Sequence, residues 1–244
     1  MKKLKVGLNG FGRIGRAFTR IAASGDQVEV VAINTRKTPA DMMAYLLKYD
    51  SVYRTYDKEV SLDGTTLTVN GHKIATLLND KPESIPWEQY GVDVVVDATG
   101  AFNTTEDLSK HIKGSVKKVV LTAPSKDDAT PHVVLGVNDD SFDFAGTHVI
   151  SNCSCTTNCA SPMFKVLHDS FGVEKANLTT VHAVTLTQSL LDDSGKGFDR
   201  SRAAFQNIIP STSGAAKAVV KTIPELKGKL EVGSIRVPVP TVSL

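Results

Sequence analysis

The chain has 244 residues, a formal net charge of +2 and 41% hydrophobic residues, a composition typical of a globular protein long enough for two domains. The near-neutral charge gives no electrostatic footprint for nucleic acid. No apolar run is long enough to span a bilayer, and the N-terminal segment lacks a signal-peptide core, so we expect neither nucleic acid nor membrane as a partner.

The chain begins with the pattern of a dinucleotide-binding unit. A strand is predicted over 4–8 and a second over 28–33, with Gly10, Gly12, Gly15 and a helical pattern between them. Gly10 permits a tight turn, Gly12 lets a pyrophosphate approach the backbone, and Gly15 lets the helix pack on the strand. The same glycines could also form a tight turn that holds no ligand.

Strand and helix patterns alternate further along. Apolar runs predict strands over 94–96, 119–122 and 133–136, and a helical stretch covers 105–112. This alternation is typical of a doubly wound parallel sheet. Residues 60–75 alternate around two Gly-containing turns, which predicts inserted antiparallel hairpins.

The pattern changes near residue 150. We therefore expect a dinucleotide-binding domain at 1–150 and a second domain at 151–244. The second domain reads as helix, strand, the irregular loop 190–206, helix and strand. The strand after this second helix is predicted over 232–237, and a further strand is predicted to start at Thr241.

A cysteine at the start of a predicted helix is the strongest catalytic candidate. Cys155 would lie among unpaired N–H groups at the positive end of the helix dipole, which favours the nucleophilic thiolate. His182, on a separate strand, could pair with it and move protons. The alternative is a buried structural cysteine. The helix is predicted from apolar side chains at helical spacing: Cys159, Met163, Val166 and Leu167.

The three cysteines, Cys153, Cys155 and Cys159, are too close in sequence to form a disulfide framework. We expect reduced thiols and a cytoplasmic location. A metal site is the rival interpretation of this cluster. It lacks a second ligand pair and the other histidines are scattered, so we expect no metal.

Ordered motifs along the whole chain resemble those of the phosphorylating glyceraldehyde-3-phosphate dehydrogenase family. The resemblance implies an α/β Rossmann sheet followed by an α+β catalytic domain that is incomplete, because about the last quarter of the family's length is not matched. It also implies a homotetramer when full-length. The motifs are Asn9–Arg16, Lys48–Ser51, Asp97–Gly100, Leu121–Pro124, Ser154–Cys159, His182, Ser213–Lys217 and Arg236–Pro238.

The resemblance implies oxidation of glyceraldehyde 3-phosphate with inorganic phosphate to 1,3-bisphosphoglycerate, through a thioester and hydride transfer to NAD or NADP. Two alternatives stay open: an erythrose-4-phosphate dehydrogenase, and a truncated nucleotide-binding fragment without activity. The erythrose-4-phosphate branch tends to lose the motif that this chain keeps at Gly214–Lys217.

The family's functional residues map onto this chain. Cys155 matches the nucleophile and His182 its base. Thr185 and Arg236 match the site for the substrate's own phosphate, and Ser154, Thr156, Ser213 and Gly214 match the site of the attacking phosphate. The matching cofactor residues are Gly10, Phe11, Gly12, Arg13, Ile14, Gly15, Asn34, Thr35, Arg36, Thr99, Gly100, Thr122 and Ser194.

The end of the second strand bears on the choice of cofactor. NAD enzymes of this fold place Asp or Glu there for the ribose 2′-hydroxyl, whereas this chain has Thr35 followed by Arg36 and Lys37. A hydroxyl beside two cations suits a 2′-phosphate, and Ser194 resembles the NADP-using branch. We expect NADP to be favoured over NAD. A solvated basic turn is the alternative.

Overall fold

The computed structural model describes residues 3–195 and 197–244, so Lys196 of the irregular loop lies outside the described residues. The chain divides into two compact units. The first comprises Met1–Val133 with Ser141–Cys153, and the second comprises Val134–Asp140 with Ser154–Leu244. The segment 134–140 therefore belongs with the second unit although it precedes the end of the first.

The first unit is built on one large sheet, with strands in the order β10-β9-β8-β1-β2-β7-β6-β5. Neighbours from β10 to β7 are parallel, and β7-β6 and β6-β5 are antiparallel. The parallel part has the strand order of a Rossmann sheet, which confirms the predicted fold class. Its elements are β1 (Leu4–Asn9), α1 (Arg13–Ala22), β2 (Val28–Thr35), α2 (Ala40–Lys48), β3 (Tyr49–Asp50), β4 (Arg54–Thr55), β5 (Val60–Asp63), β6 (Thr66–Val69), β7 (His72–Leu78), β8 (Val94–Asp97), α3 (Thr105–Ser109), β9 (Lys118–Leu121) and β10 (Val149–Ser151).

Both faces of this sheet are covered. Along β1, Val6 and Leu8 belong to one buried apolar cluster, while Gly7 faces Trp87 of a second cluster. A Cβ at Gly7 would lie 2.7 Å from the indole of Trp87, so this close packing requires glycine. Burial on both faces explains why the parallel strands read as continuous apolar runs.

Two predicted elements of the first half differ from the structure. The strand predicted over 133–136 is wrong: this segment is a turn, in which Val134 N–H donates to Asn138 Oδ1 (3.0 Å) and Gly136 has a φ of +76°. Side-chain acceptors thus satisfy backbone N–H groups that a strand would have paired with a neighbour. The helix predicted over 105–112 forms but ends at Ser109.

The second unit has a three-stranded sheet in the order β11-β13-β12, with β11 and β13 parallel and β12 and β13 antiparallel. Two helices contribute to its core through Phe164 and Val219, and Ser161 contacts Thr222 (Oγ to Oγ1, 2.9 Å). Its elements are α4 (Cys155–Phe171), β11 (Ala176–His182), β12 (Ile209–Thr212), α5 (Ala215–Thr222) and β13 (Leu230–Arg236).

Helix α4 forms where its apolar spacing predicts, but those apolar residues lie on its exposed side. Cys159, Met163, Val166 and Leu167 are all exposed, whereas Ala160 and Phe164 are buried. The buried side also carries hydroxyl groups that find partners, such as Ser161. Periodicity therefore identified the helix but not the side that packs inward.

The second strand predicted from Thr241 is reduced to a single antiparallel bridge between Ser243 and His182. Leu244 and Val181 exchange two backbone hydrogen bonds (2.7 and 2.9 Å) at the same edge of β11. Val242 has a φ of +71°, outside the extended region, which interrupts the predicted strand. Across the described parts of the chain, none of the helices has the length and apolarity to cross a membrane.

The loop after β9 depends on one carboxylate, that of Asp127. Although partial burial alone would raise its pKa, hydrogen bonds from Ser125, Thr105 N–H and Thr130 hold the pKa of Asp127 far below its usual range. A carboxyl whose folded-state pKa is lowered stabilises the fold above its unfolded-state pKa of about 4, and this contribution is lost as the pH falls below that value.

We predict that Asp127→Asn lowers the free energy of unfolding at neutral pH by about 1–2 kcal/mol, because an amide replaces a charged acceptor of several hydrogen bonds. The variant should also lose less stability than the wild type between about pH 5 and pH 3. Urea unfolding at each pH measures both effects, with Asp26→Asn at an exposed position as the control. If the free energy of unfolding falls equally steeply with pH in Asp127→Asn and in the wild type, the role of this carboxylate is contradicted.

Candidate active site

Cys155 is the first residue of α4, and the residue before it caps the helix. Ser154 Oγ accepts a hydrogen bond from Thr157 N–H (3.1 Å) and contacts Thr157 Oγ1 (2.8 Å). The preceding Cys153 is buried, with a φ of +60°, so the chain turns sharply into the helix. Cys155 is exposed in the first turn, where unpaired N–H groups and the helix dipole favour a negative charge.

A histidine from the sheet meets this cysteine. His182 is the last residue of β11, and its Nε2 lies 3.4 Å from Cys155 Sγ. A thiol or thiolate at this distance can exchange a proton with the imidazole. The pairing that the sequence suggested between Cys155 and His182 is thus present in the geometry of the second unit.

Arg236 completes this cluster from the neighbouring strand. The parallel register of β11 and β13 pairs the Cα of His182 with that of Arg236. Arg236 Nη1 lies 2.6 Å from His182 Nδ1 and donates to the carbonyl oxygen of Ala183 (3.1 Å). His182 Nδ1 also lies 2.7 Å from the same carbonyl oxygen. The imidazole ring of His182 therefore lies between the guanidinium of Arg236 and the sulfur of Cys155.

The environment of His182 disfavours its charged form. Burial is the main cause, and the positive charges of Arg236 and Arg200 add to it, so the pKa of His182 is lowered although its contact with the Ala183 carbonyl acts in the opposite direction. This environment therefore favours the neutral imidazole over the imidazolium. A neutral imidazole is the form that can accept a proton.

The other residues expected to bind phosphate lie in the same unit. Thr156 Oγ1 is 4.0 Å from Cys155 Sγ. Thr185 is exposed in the turn after β11, where its hydroxyl contacts that of Thr187 (2.8 Å). Ser213 Oγ accepts from Ala215 N–H (3.2 Å) at the start of α5, directly before the helix cap Gly214.

Arg200, in the irregular loop, was not among the expected site residues. It donates to Ser211 Oγ (3.0 Å) and Thr187 Oγ1 (3.2 Å), and it pairs with Asp199 (3.2 Å). It ties the loop to β12 and to the turn that carries Thr185. Only a weak signal of this role is visible in the sequence, because Arg200 lies among many charged residues of the loop.

The predicted dinucleotide site lies at the carboxyl edge of the first unit's sheet, where the strand order reverses between β1 and β8. Gly10 has a φ of +98°, and a Cβ there would lie 2.7 Å from the Ala98 backbone. A Cβ at Gly15 would lie 2.2 Å from the Gly10 carbonyl oxygen, whereas one at Gly12 would enter open space. The three glycines thus play the parts that a pyrophosphate cradle needs, and the residues present fit a dinucleotide.

Other expected cofactor residues surround this edge. Phe11 is buried in the turn, and Ile14 is exposed in the first turn of α1. The Thr122 hydroxyl donates to the Asp97 carbonyl oxygen (3.1 Å). Arg13 forms an ion pair with Asp50, so its guanidinium is held toward the segment after α2.

A series of buried, hydrogen-bonded side chains supports the carboxyl edge of this sheet. The sequence did not reveal it. Trp87 Nε1–H donates to His111 Nδ1 (3.0 Å), and His111 Nε2 lies 3.4 Å from Asp97 Oδ2. Asn9 Nδ2 donates to the same Asp97 oxygen (2.8 Å). Asp97 Oδ1 accepts from both N–H and hydroxyl of Thr99, which leads into Gly100. His111 is thus fully buried and links the Trp87 indole to the Asp97 carboxylate.

The end of β2 carries the residues expected to select the cofactor. The Asn34 amide is buried and donates to Asn9 Oδ1 (2.8 Å). The Thr35 hydroxyl donates to the Thr38 carbonyl oxygen (3.0 Å), while Arg36 and Lys37 are exposed. In the second unit Ser194 is also exposed, and its N–H donates to Asp193 Oδ1 (2.7 Å). Within residues 3–195 and 197–244, no group of three or more His, Cys, Asp or Glu side chains could hold a metal ion.

Comparison with known proteins agrees with this arrangement. Residues 4–105 match the family model of the glyceraldehyde 3-phosphate dehydrogenase NAD binding domain, and residues 154–244 match that of the C-terminal domain. The chain belongs to the glyceraldehyde-3-phosphate dehydrogenase family. The first match includes the glycine turn and Thr99, and the second includes Cys155, His182 and Arg236.

Curated members of the glyceraldehyde-3-phosphate dehydrogenase family are similar over almost the whole chain. The enzyme of Priestia megaterium (strain DSM 319 / IMG 1521) is 50% identical over 241 residues. Glyceraldehyde-3-phosphate dehydrogenase 1 of Bacillus subtilis (strain 168) and the enzyme of Geobacillus stearothermophilus are each 49% identical over 241 residues. Each alignment covers 99% of this chain and 71% of the relative.

We predict that iodoacetamide alkylates Cys155 faster than the other two cysteines near neutral pH, because it is at the helix start beside His182. Cys159 is the matched internal control, since it is exposed on the same helix; Cys153 is buried. His182→Asn should slow alkylation of Cys155 and leave that of Cys159 unchanged. Mass spectrometry of the labelled peptides measures all three rates, and equal rates at Cys155 and Cys159 would contradict the prediction.

Proposed function

We propose that the protein oxidises glyceraldehyde 3-phosphate in the presence of inorganic phosphate to 1,3-bisphosphoglycerate, with NAD or NADP as the oxidant. The observation that carries this proposal is the 3.4 Å contact between Cys155 Sγ and His182 Nε2 at the start of α4. It pairs a nucleophile with a base in a chain of the glyceraldehyde-3-phosphate dehydrogenase family.

The thiolate of Cys155 attacks the aldehyde carbon and forms a hemithioacetal. The backbone N–H of Cys155, in the first turn of α4, stabilises the negative charge that develops on the aldehyde oxygen. His182 Nε2 then takes the proton of the hemithioacetal hydroxyl while the carbon-bound hydrogen leaves as a hydride, and a thioester remains on Cys155. A bound nicotinamide supplies the oxidising power for this step.

Inorganic phosphate then attacks the thioester carbonyl, and the sulfur of Cys155 leaves as a thiolate. We assign this phosphate to Ser154, Thr156, Ser213 and Gly214, because they lie at the N-termini of α4 and α5, where hydroxyl and N–H donors gather. The substrate's own phosphate is assigned to Thr185 and Arg236. Arg236 suits this task because its guanidinium is partly exposed beside the Cys155–His182 pair.

We assign the dinucleotide to the carboxyl edge of the sheet, at Gly10, Phe11, Gly12, Arg13, Ile14, Gly15, Thr99, Gly100 and Thr122. NADP is the favoured form, because β2 ends in Thr35 rather than a carboxylate and the exposed Arg36 follows it. Asn34 contributes to the cofactor site indirectly, because its buried amide orients Asn9 through a hydrogen bond to Asn9 Oδ1. Ser194 is assigned to the cofactor through the family resemblance alone.

The two other interpretations of the sequence receive less support. The segment Gly214–Lys217, which an erythrose-4-phosphate enzyme would tend to lose, opens helix α5. A silent nucleotide-binding fragment would have no need of a histidine at 3.4 Å from an exposed cysteine. Oxidation of glyceraldehyde 3-phosphate therefore remains the favoured function.

We also propose that the protein assembles as a homotetramer and acts in the cytoplasm. The irregular loop supports assembly, since Leu190, Leu191 and Phe198 are largely exposed on it, and large exposed apolar side chains are typical of subunit interfaces. Reduced thiols at Cys153, Cys155 and Cys159, none of them in a disulfide, suit a reducing compartment. Light scattering of the purified protein tests the assembly.

The function is tested by following nicotinamide reduction with glyceraldehyde 3-phosphate, with and without inorganic phosphate. Product formation should require phosphate, and Cys155→Ser should lower the rate by more than about a thousandfold because the nucleophile is lost. Cys159→Ser is the matched control and should keep wild-type activity. Undiminished turnover in Cys155→Ser would refute the mechanism.

For the cofactor, we predict a lower KM for NADP than for NAD. Arg36→Ala should weaken NADP binding by about 1–3 kcal/mol, hence roughly five- to 150-fold, and leave NAD binding nearly unchanged, because only NADP carries the 2′-phosphate with which the guanidinium pairs. Thr35→Asp should reverse the preference by repelling the 2′-phosphate, while Thr35→Ser, which keeps the hydroxyl, should not. Steady-state kinetics with both cofactors decides. If Arg36→Ala changes both KM values equally, the basic turn does not select the cofactor.

A further inference from the structure

The carboxylate of Asp97, at the end of β8, is fully buried and lies among hydrogen-bond donors. Its Oδ1 accepts from the N–H (3.0 Å) and the hydroxyl (2.7 Å) of Thr99. Its Oδ2 accepts from Asn9 Nδ2 (2.8 Å) and lies 3.4 Å from His111 Nε2. In the described part of the chain, no lysine or arginine forms an ion pair with this carboxylate, so hydrogen bonds compensate its burial.

Trp87 decides what His111 offers to this carboxylate. The indole Nε1–H can only donate a hydrogen bond, and it lies 3.0 Å from His111 Nδ1. Nδ1 therefore accepts, and the neutral ring carries its proton on Nε2. His111 thus presents an N–H group to Asp97 Oδ2 rather than a lone pair. Asn9 Nδ2 lies 3.5 Å from His111 Nε2, so the two nitrogens stand side by side and donate to the same oxygen.

The donor from Asn9 is oriented from the opposite side. The backbone N–H of Asn79 donates to Asn34 Oδ1 (2.9 Å), which fixes the direction of the Asn34 amide. Asn34 Nδ2 then donates to Asn9 Oδ1 (2.8 Å), so Asn9 turns its Nδ2 toward Asp97. Two series of hydrogen bonds, one from the indole and one from a backbone N–H, therefore end on one carboxylate. Bonds aligned in this way polarise and strengthen one another.

Asp97 in turn connects three segments that are assigned to the dinucleotide. Its carboxylate holds Thr99 after β8 and Asn9, which directly precedes the turn at Gly10. Its backbone carbonyl oxygen accepts from the N–H (3.0 Å) and the hydroxyl (3.1 Å) of Thr122 after β9. Because the segments after β1 and β8 are bound to the same carboxylate, a rotation of that group would displace both of them.

We propose that His111 is a positioning residue for the dinucleotide: its Nε2–H fixes the rotation of the Asp97 carboxylate, which holds the loops after β1 and β8 in the form that binds the cofactor. This inference rests on the proposed function for the place of the dinucleotide at the carboxyl edge of the sheet. His111 is fully buried, so it acts through Asp97 and not by contact with the ligand.

Removal of the imidazole has two separable consequences. Oδ2 of Asp97 keeps only the bond from Asn9, so the carboxylate gains freedom to rotate and the loops lose their alignment. The buried indole N–H of Trp87 also loses its acceptor, which destabilises the fold. The first consequence lowers the affinity of the folded protein for the cofactor, whereas the second lowers the fraction of protein that is folded.

The test measures the dissociation constants of NADP and NAD by calorimetry, without aldehyde, at a temperature at which each variant is folded. His111→Leu should weaken the binding of both cofactors about tenfold, because a buried carboxylate loses a donor. His111→Gln, whose amide can again donate to Asp97, should restore most of the affinity. Leu108→Ala is the matched control, since Leu108 is fully buried on α3 in the same apolar cluster as Trp87. It should destabilise the fold and bind both cofactors like the wild type.

A double-mutant cycle tests the route through Asp97. Thr99→Val removes the hydroxyl donor from the other carboxylate oxygen and keeps the shape of the side chain. Because both substitutions loosen one carboxylate, the loss of affinity in the double variant should be smaller than the product of the two separate losses. Losses that simply multiply would overturn the proposal.

A measurement on the wild type does not depend on the folding of any variant. ¹⁵N NMR of the His111 ring should show a proton on Nε2 and none on Nδ1. The ring is assigned through its hydrogen-bond coupling to the indole N–H of Trp87, the single tryptophan of the chain. A ring without a proton on Nε2 would overturn the proposal.

The proposal is also overturned if His111→Leu binds both cofactors like the wild type, or if Leu108→Ala weakens them as much as His111→Leu does. These outcomes differ from a failure of the proposed function. If the binding pattern is found but no aldehyde is oxidised, the positioning role stands and the assigned reaction falls. A wild type that binds neither cofactor would overturn the inference together with the cofactor assignment.

Discussion

The chemistry of the second unit depends on one contact, between the sulfur of Cys155 and Nε2 of His182 at 3.4 Å. Neither residue is reactive because of its type alone. We infer that the reactivity of Cys155 comes from its place in the first turn of α4, which the Ser154 cap fixes. His182 gains its position from the end of β11. The sheet and helix are a scaffold that makes these two termini meet.

In the first unit, too, the termini of secondary-structure elements meet, here at the carboxyl edge of the sheet. The chain turns there at Gly10, and Thr99 leaves the neighbouring strand β8. Beneath both lies the buried chain from Trp87 through His111 to Asp97. Burying these polar groups is costly unless each is hydrogen-bonded, and here each one has a partner. The hydrogen bonds fix the loops that are assigned to the dinucleotide.

The features that depend on neighbouring residues in the sequence could be predicted from the sequence. The glycine spacing after β1 predicted a turn whose steric need for glycine is seen at Gly10 and Gly15. The cysteine at a helix start and the location of His182 on a separate strand were also predicted from nearby residues. The strand predicted over 133–136 was wrong because Asn138 and Asp139 satisfy its backbone, which an apolar pattern cannot reveal.

Features that depend on strand register or on side-chain direction were beyond the sequence. Arg236 meets His182 because β11 and β13 pair in one particular register. His111 is 24 residues from Trp87 and 14 from Asp97, so its place in a buried chain follows only from tertiary packing. Arg200 and the exposed side of α4 were missed for the same reason. In each case the sequence shows the residue type but not the residues that it contacts in the fold.

The central claim is that Cys155 forms the covalent intermediate, and the mass of the protein tests it most directly. The protein is mixed with glyceraldehyde 3-phosphate and oxidised cofactor in the absence of inorganic phosphate, so that a thioester accumulates. The account predicts a mass increase that corresponds to one acyl group, mapped to the peptide with Cys155 and released when phosphate is added. An unchanged mass, or an acyl group on Cys159, would contradict it.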